Sequence, residues 1–99
     1  MARYEVYASP DGAGYLLDVQ ADLLDRLNTR VIVPLMPASA APSSSKRLNP
    51  VFDIQSEPYV MVTQFLSAVP STILKSPVTS LVQHDTEIMS ALDMVLTGV

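Results

Sequence analysis

The chain has 99 residues, 48% of them apolar and 16% charged, with a formal net charge of −4 and no cysteine. A chain of this length predicts one domain with one modest core, and the missing cysteines exclude a disulfide framework and a thiolate metal site and fit a reducing compartment. The six Lys and Arg form no patch, with only Lys46 and Arg47 adjacent, which argues against direct nucleic-acid binding because a phosphate backbone needs clustered positive charge.

Taken in chain order, Arg3–Ala8 (RYEVYA) alternates, with Tyr4, Val6 and Ala8 on one face and Arg3, Glu5 and Tyr7 on the other. That is the period of a strand half-covered by core. Ser9–Gly14 (SPDGAG) is a run of turn formers, and Tyr15–Gln20 (YLLDVQ) reads as the returning strand of an antiparallel hairpin. Ala21–Leu27 (ADLLDRL) is too short to stand as a helix. Arg30–Met36 (RVIVPLM) is β-branched and predicts a buried strand, with Pro34 pointing to an edge position or a bulge. Pro37–Asn49 is small and polar and predicts a surface loop. Pro50–Gln55 and Tyr59–Phe65 read as two further strands joined by Ser56-Glu57-Pro58; Leu66–Leu74 carries a proline and then a short β-branched run. Seven of the eight prolines fall between Pro34 and Pro77 and discourage helix there.

The last segment differs. From Leu81 to Leu96 there is no proline or glycine, and Leu81, Ile88, Leu92 and Val95 share a helical face with Val82, Met89 and Leu96 beside them. Ser80 and Gln83 have capping-box spacing, Thr79 is a second candidate cap, and Gly98 stands where a helix stop belongs. The reading is one mainly β domain over 1–99: an antiparallel barrel or sheet over about 1–76, closed by a C-terminal α-helix over about 81–97. Met94 and Val99 have no place on the core face, so the helix ends in an apolar tip. An apolar content this high on a small domain predicts a covered interface, most simply a homodimer. No apolar run reaches the roughly 18–20 residues of a membrane span, and the N-terminus lacks a signal peptide's apolar core; these point to a cytoplasmic protein away from membranes.

Motifs for catalysis are missing. His84 has no second histidine or cysteine to share a metal, and it reads as a solvated or capping residue near the helix start. The carboxylates are scattered; Asp18, Asp22 and Asp25 are the closest set and read as a solvated turn. Ser43-Ser44-Ser45 has no base nearby in sequence, and no glycine-rich phosphate loop exists. The expectation is a binding protein, not an enzyme, with no cofactor and no metal.

Several segments carry a resemblance. Leu17–Asp25 (LDVQADLLD), Val31–Leu35 (VIVPL), Leu48–Ile54 (LNPVFDI), Ala68–Leu74 (AVPSTIL) and the closing Gly98-Val99 are similar, in order and spacing, to the CcdB family, toxins of toxin–antitoxin modules. The resemblance implies an SH3-like β barrel with a C-terminal helix and dimerisation through apolar surface. It implies binding to the A subunit of DNA gyrase, which is trapped on cleaved DNA, and neutralisation by a partly disordered CcdA-like antitoxin. The positions implied to touch gyrase are Leu23 and Leu24, Asp93, Leu96, Thr97, Gly98 and Val99. The residue-level alternatives are a buried barrel corner for Leu23-Leu24 and a frayed helix cap for Gly98-Val99. Where the family pattern closes on Phe-Trp-Gly-Ile, this chain has Leu96-Thr97-Gly98-Val99, and Asp93 replaces an asparagine. Loss of a tryptophan hot spot costs ~2–4 kcal/mol of binding. Two alternatives follow: a degenerate, non-toxic homologue that still binds antitoxin, and a MazF-like ribonuclease. The acid–base candidates for the ribonuclease, Arg30, Lys46, Asp53 and His84, are grouped by nothing in the sequence.

Overall fold

The structure is a computed structural model describing residues 1–42 and 45–98. Seven short strands form one antiparallel sheet: β1 (Glu5–Ala8), β2 (Tyr15–Asp18), β3 (Thr29–Pro37), β4 (Val51–Ile54), β5 (Glu57–Met61), β6 (Ser67–Pro70) and β7 (Pro77–Ser80). The order is β4-β5-β3-β2-β1-β7, with β6 also paired to β3. The sheet curls into a half-barrel, and α1 (Asp85–Thr97), the one α-helix among the described residues, closes it. The expected mainly β fold with a C-terminal helix is the fold observed.

β3 is the spine. One side pairs with β2 (Leu17↔Val33); the other is divided, Thr29–Ile32 pairing with β6 and Leu35–Pro37 with β5. This corrects the edge position expected from Pro34, which lies opposite Leu16 in the middle of the sheet. Its carbonyl accepts the Val62 N–H at 3.0 Å. The N–H and C=O of a strand residue point to the same side, so the donor that proline lacks would have faced the interval between β6 and β5. The proline occupies the one stretch of β3 where a donor is dispensable.

The curled sheet has two covered faces. Val6, Leu17, Val33, Leu35, Phe52, Ile54 and Met61 line the inside of the curl and meet Leu81, Ile88, Ala91 and Leu92. On the outer face Tyr7, Leu16, Ile32 and Leu74 form a second, smaller cluster. β1 is therefore not half-covered as its alternation predicted: Val6 enters one core and Tyr7 the other. The β1–β2 turn requires glycine at position 14, where φ is +132° and a Cβ would lie 2.5 Å from the Leu35 carbonyl oxygen. β4 and β5 join through Gln55 and Ser56, both at positive φ, as a two-residue hairpin turn demands. The turn is thus one residue earlier than Ser56-Glu57-Pro58, and β5 begins at Glu57.

The helix starts later than expected. Leu81 stays tied to the residue preceding β1 through its N–H to the Tyr4 carbonyl (2.9 Å), and a 3₁₀ turn over Val82–His84 follows. Ser80 and Gln83 form no capping box; the Ser80 hydroxyl accepts the Val82 N–H at 3.3 Å, and α1 begins at Asp85 without a side-chain cap. Asp85 and Glu87 in the first turn suit the positive end of the helix dipole. Gly98, at φ +76°, donates its N–H to the Met94 carbonyl and ends the helix in a left-handed cap. Among the described residues no helix is long and apolar enough to cross a membrane.

Candidate protein-docking groove

The segment leaving β2 is built on polar side chains. Asp18, at the end of β2, has no solvent exposure, and neither has Arg30 in β3. Arg30 Nε donates to Asp18 Oδ2 at 2.9 Å, Nη2 lies 2.6 Å from the same oxygen, and the Gln20 N–H donates to Asp18 Oδ1 at 3.0 Å. Burial holds the Asp18 carboxyl above the ordinary carboxylate range; the hydrogen bonds from Arg30 Nε and the Gln20 N–H, and the guanidinium charge, pull against that rise. The solvated turn expected at Asp18, Asp22 and Asp25 is corrected here: Asp18 is interior, and only the other two face solvent.

Gln20 is also buried, and its amide spans two elements. Its Oε1 accepts the Val31 N–H (3.1 Å) just past the end of the β2–β3 ladder, and its Nε2 donates to the Leu24 carbonyl (3.0 Å). From there Asp22–Leu24 makes a single 3₁₀ turn with no buried residue. Arg3 ties this turn to the rest: its backbone N–H donates to Asp22 Oδ1 (2.8 Å), its Nε donates to the Val19 carbonyl (3.2 Å), and Nη2 reaches Met89 Sδ on α1 at 3.0 Å.

Between this turn and the C-terminal half of α1 runs a groove of about 380 Å³, with Leu24, Leu27 and Val31 on one wall, Met89, Leu92 and Leu96 on the other, and Arg3 and Asp93 at its rim. Of the predicted site residues, the fold brings Leu24, Asp93 and Leu96 together here. Leu23 stands on the outside of the turn, 92% exposed, and does not line the groove. The buried-corner alternative for this pair is therefore not the one the fold adopts. Thr97 and Gly98 are exposed beyond Leu96; the Thr97 hydroxyl folds back to donate to the Asp93 carbonyl at 2.6 Å. Val99, like Ser43 and Ser44 of the predicted loop, lies outside the described residues.

Arg3, Leu27, Val31, Leu66 and Met89 also line it, none of them among the predicted site residues, and so does Gln20 in the segment 19–21. Two of them had a signal. Leu27 follows Leu24 by one turn, and Met89 precedes Leu92 and Leu96 at helical spacing. Arg3 had none, because nothing local predicts that an N-terminal side chain reaches the last helix.

The groove's lining is largely apolar, with Arg3 and Asp93 as its charged members. The ribonuclease candidates stay apart. Arg30 is interior and paired with Asp18, Asp53 is exposed on β4, and Lys46 is exposed in the 45–50 segment. His84 Nδ1 lies 3.2 Å from Glu87 Oε1, with its ring 4.9 Å from that of Phe52. It is a partly exposed residue at the helix start, as its position suggested.

The half-barrel with its closing helix is an architecture shared with solved toxins. An endoribonuclease in complex with its cognate antitoxin, from a mycobacterial species, superposes with a TM-score of 0.77 at 17% identity, over 97% of this chain and 94% of that one. Mycobacterium tuberculosis toxin MazF-mt6 gives 0.73 at 13% identity, over 92% and 94%. Identities this low report the fold alone. The family model for CcdB protein matches residues 3–98, and the chain belongs to the CcdB family, toxins of toxin–antitoxin systems.

Proposed function

We propose that this toxin binds the A subunit of DNA gyrase through the groove between α1 and the Asp22–Leu24 turn, and so inhibits or traps the enzyme. In this reading it acts in the cytoplasm as a homodimer, performs no catalysis, contacts no nucleic acid directly, and is neutralised by a CcdA-like antitoxin. One observation carries the reading. Among the described residues eight large apolar side chains are the most exposed; Leu24, Leu27 and Leu96 line this one groove and Leu23 adjoins it. Exposed apolar side chains gathered in one place mark a protein-binding surface rather than ordinary solvent-facing scatter. A two-fold dimer would present two such surfaces to a two-fold target.

The test is induction in a bacterial host, with growth and gyrase-linked DNA cleavage as readouts. Growth arrest with trapped cleavage complexes is expected, and both are lost in Leu96→Asp. Normal growth at confirmed soluble expression, with no binding to purified gyrase A subunit, sinks the reading.

A second reading rests on Thr97. Its hydroxyl is spent on the Asp93 carbonyl and it offers no ring to a partner, which favours a homologue that retains antitoxin binding but poisons weakly. Thr97→Trp then gains toxicity where the unaltered chain has little. Burial of Arg30 against Asp18 argues against the ribonuclease alternative, and absence of cleavage of single-stranded RNA is the expected result.

A further inference from the structure

We infer that Gln20 is a positioning residue: its side-chain amide, itself set by the Asp18–Arg30 pair, holds the Asp22–Leu24 turn in the place from which Leu23 and Leu24 meet a partner. The second half of this statement rests on the docking reading above; the first does not.

The inference starts from what the turn lacks. Asp22–Leu24 buries no side chain, and Leu23 is almost fully exposed. A segment without apolar anchorage sits at the low end of local stability. Its order must come from polar ties, and few are present. Leu24 N–H donates to the Ala21 carbonyl, Asp25 N–H to that of Asp22, and Leu27 N–H to that of Leu24 (3.2 Å), all local to the turn, so the Leu24 carbonyl accepts from Leu27 as well as from Gln20. Arg3 N–H donates to Asp22 Oδ1 at the front of the turn, and Gln20 Nε2 to the Leu24 carbonyl at its back.

Gln20 differs from the other ties in being buried and fixed at both ends. Val31 N–H faces β2 but lies beyond its last paired residue, and a buried N–H needs an acceptor. Gln20 Oε1 supplies it, standing in for the carbonyl of a strand that has ended. That contact decides which way round the amide lies, because a backbone N–H can only donate. The Nε2 end is then directed at the Leu24 carbonyl. Asp18 fixes the starting point of the side chain through the Gln20 N–H, and Arg30 fixes Asp18. The chain of contacts runs from the centre of the sheet to the exposed leucines.

Gln20→Glu separates this role from a general one. A carboxylate still accepts from Val31 N–H but cannot donate to the Leu24 carbonyl; the protonated acid can. The expected result, at pH 7.5, is a loss of protection from hydrogen exchange at the amides of 21–28 by about tenfold relative to the unaltered chain, the equivalent of one hydrogen bond. Amides of Val6, Leu17 and Val33 keep theirs. At pH 5 and below the difference between variant and unaltered chain narrows, since the acid regains its proton; the unaltered chain is measured at both pH values as the reference, because Asp18, facing Arg30 and the Gln20 N–H, and Asp22, facing the Arg3 N–H, belong to the same network in both. Affinity for purified gyrase A subunit falls by about tenfold or more at pH 7.5. If Gln20→Glu fails to fold, Gln20→Met, neutral and of similar length, replaces it; the 21–28 amides lose protection at both pH values.

Unchanged protection over 21–28 in the variant that folds overturns the inference. A loosened turn with undiminished gyrase affinity overturns the positioning of the docking surface while leaving the docking reading intact. If the unaltered chain itself fails to bind gyrase, the docking reading falls, and the exchange measurement still decides whether Gln20 holds the turn.

Discussion

At the scale of single residues, Arg30 and Tyr4 carry the most consequence. Arg30 and Asp18 are charged, adjacent and without solvent exposure. Removing one member of such a pair strands the other. Arg30→Met is expected to destabilise by about 3–5 kcal/mol in urea unfolding, whereas Arg30→Met with Asp18→Leu recovers part of it, because two apolar side chains leave no buried charge although the Gln20 N–H loses its acceptor. Tyr4 is held at φ +73°, unusual for an aromatic residue, by its N–H to the Asp18 carbonyl, its own carbonyl to Leu81, and its hydroxyl, which donates to Asp85. Burial, and then that bond to Asp85, raise its hydroxyl from 10.0 to about 12. The folded state therefore keeps a proton that the unfolded chain releases near pH 10. Stability from this group is whole below that pH and lost as pH rises from 10 toward 12. Tyr7 is shifted in the same direction by burial and its bond to Glu5. Unfolding free energies measured between pH 8 and 11.5 should decline above pH 10, with a shallower decline in Tyr4→Phe.

At the scale of elements, the β1–β2 hairpin depends on a single missing methyl group. Gly14→Ala must both adopt φ +132° and move the backbone oxygen of Leu35 on the neighbouring strand. A loss of at least about 2 kcal/mol is expected in denaturant unfolding, against strain of 1–3 kcal/mol for such backbone positions. The same hairpin was legible in the sequence, since alternation and turn formers agree there. Arg30–Met36 was legible as a buried strand, because β-branched runs need cover, but not as the spine: Pro34 hides the fact that its missing donor faces the interval between β6 and β5. β6 and β7 were not legible. Each has four residues, includes a proline, and is mostly exposed, so neither shows the alternation that burial of one face imprints. The helix face was read from its period, yet its first turn was misplaced. Leu81 belongs to the face by spacing, while its backbone is claimed by Tyr4, a contact that local pattern does not record. Of the residues that line the groove, Leu24, Asp93 and Leu96 were named through family resemblance; Leu23, Thr97 and Gly98 were named with them and lie outside its lining. The Asp18–Arg30 pair that supports the turn was not legible, since charged residues twelve apart announce no partner.

At the scale of the whole molecule, the groove shares Val19 and Leu92 with the core, while Leu96 lies outside it. Leu96 is 67% exposed. Leu96→Ser should leave the urea midpoint almost unmoved, within about 0.5 kcal/mol, while affinity for gyrase A subunit drops by about tenfold or more as an exposed apolar anchor is removed. Sedimentation of the unaltered chain tests the homodimer directly; a monomer at working concentration removes the paired presentation from the proposal. The two walls of the groove come from opposite ends of the chain, one from 20–31 and the other from 89–96. A chain cut before Asp85 lacks Met89, Leu92 and Leu96, and with them one whole wall. On the docking reading such a fragment is expected to show no affinity for the gyrase A subunit, however much of the sheet it retains.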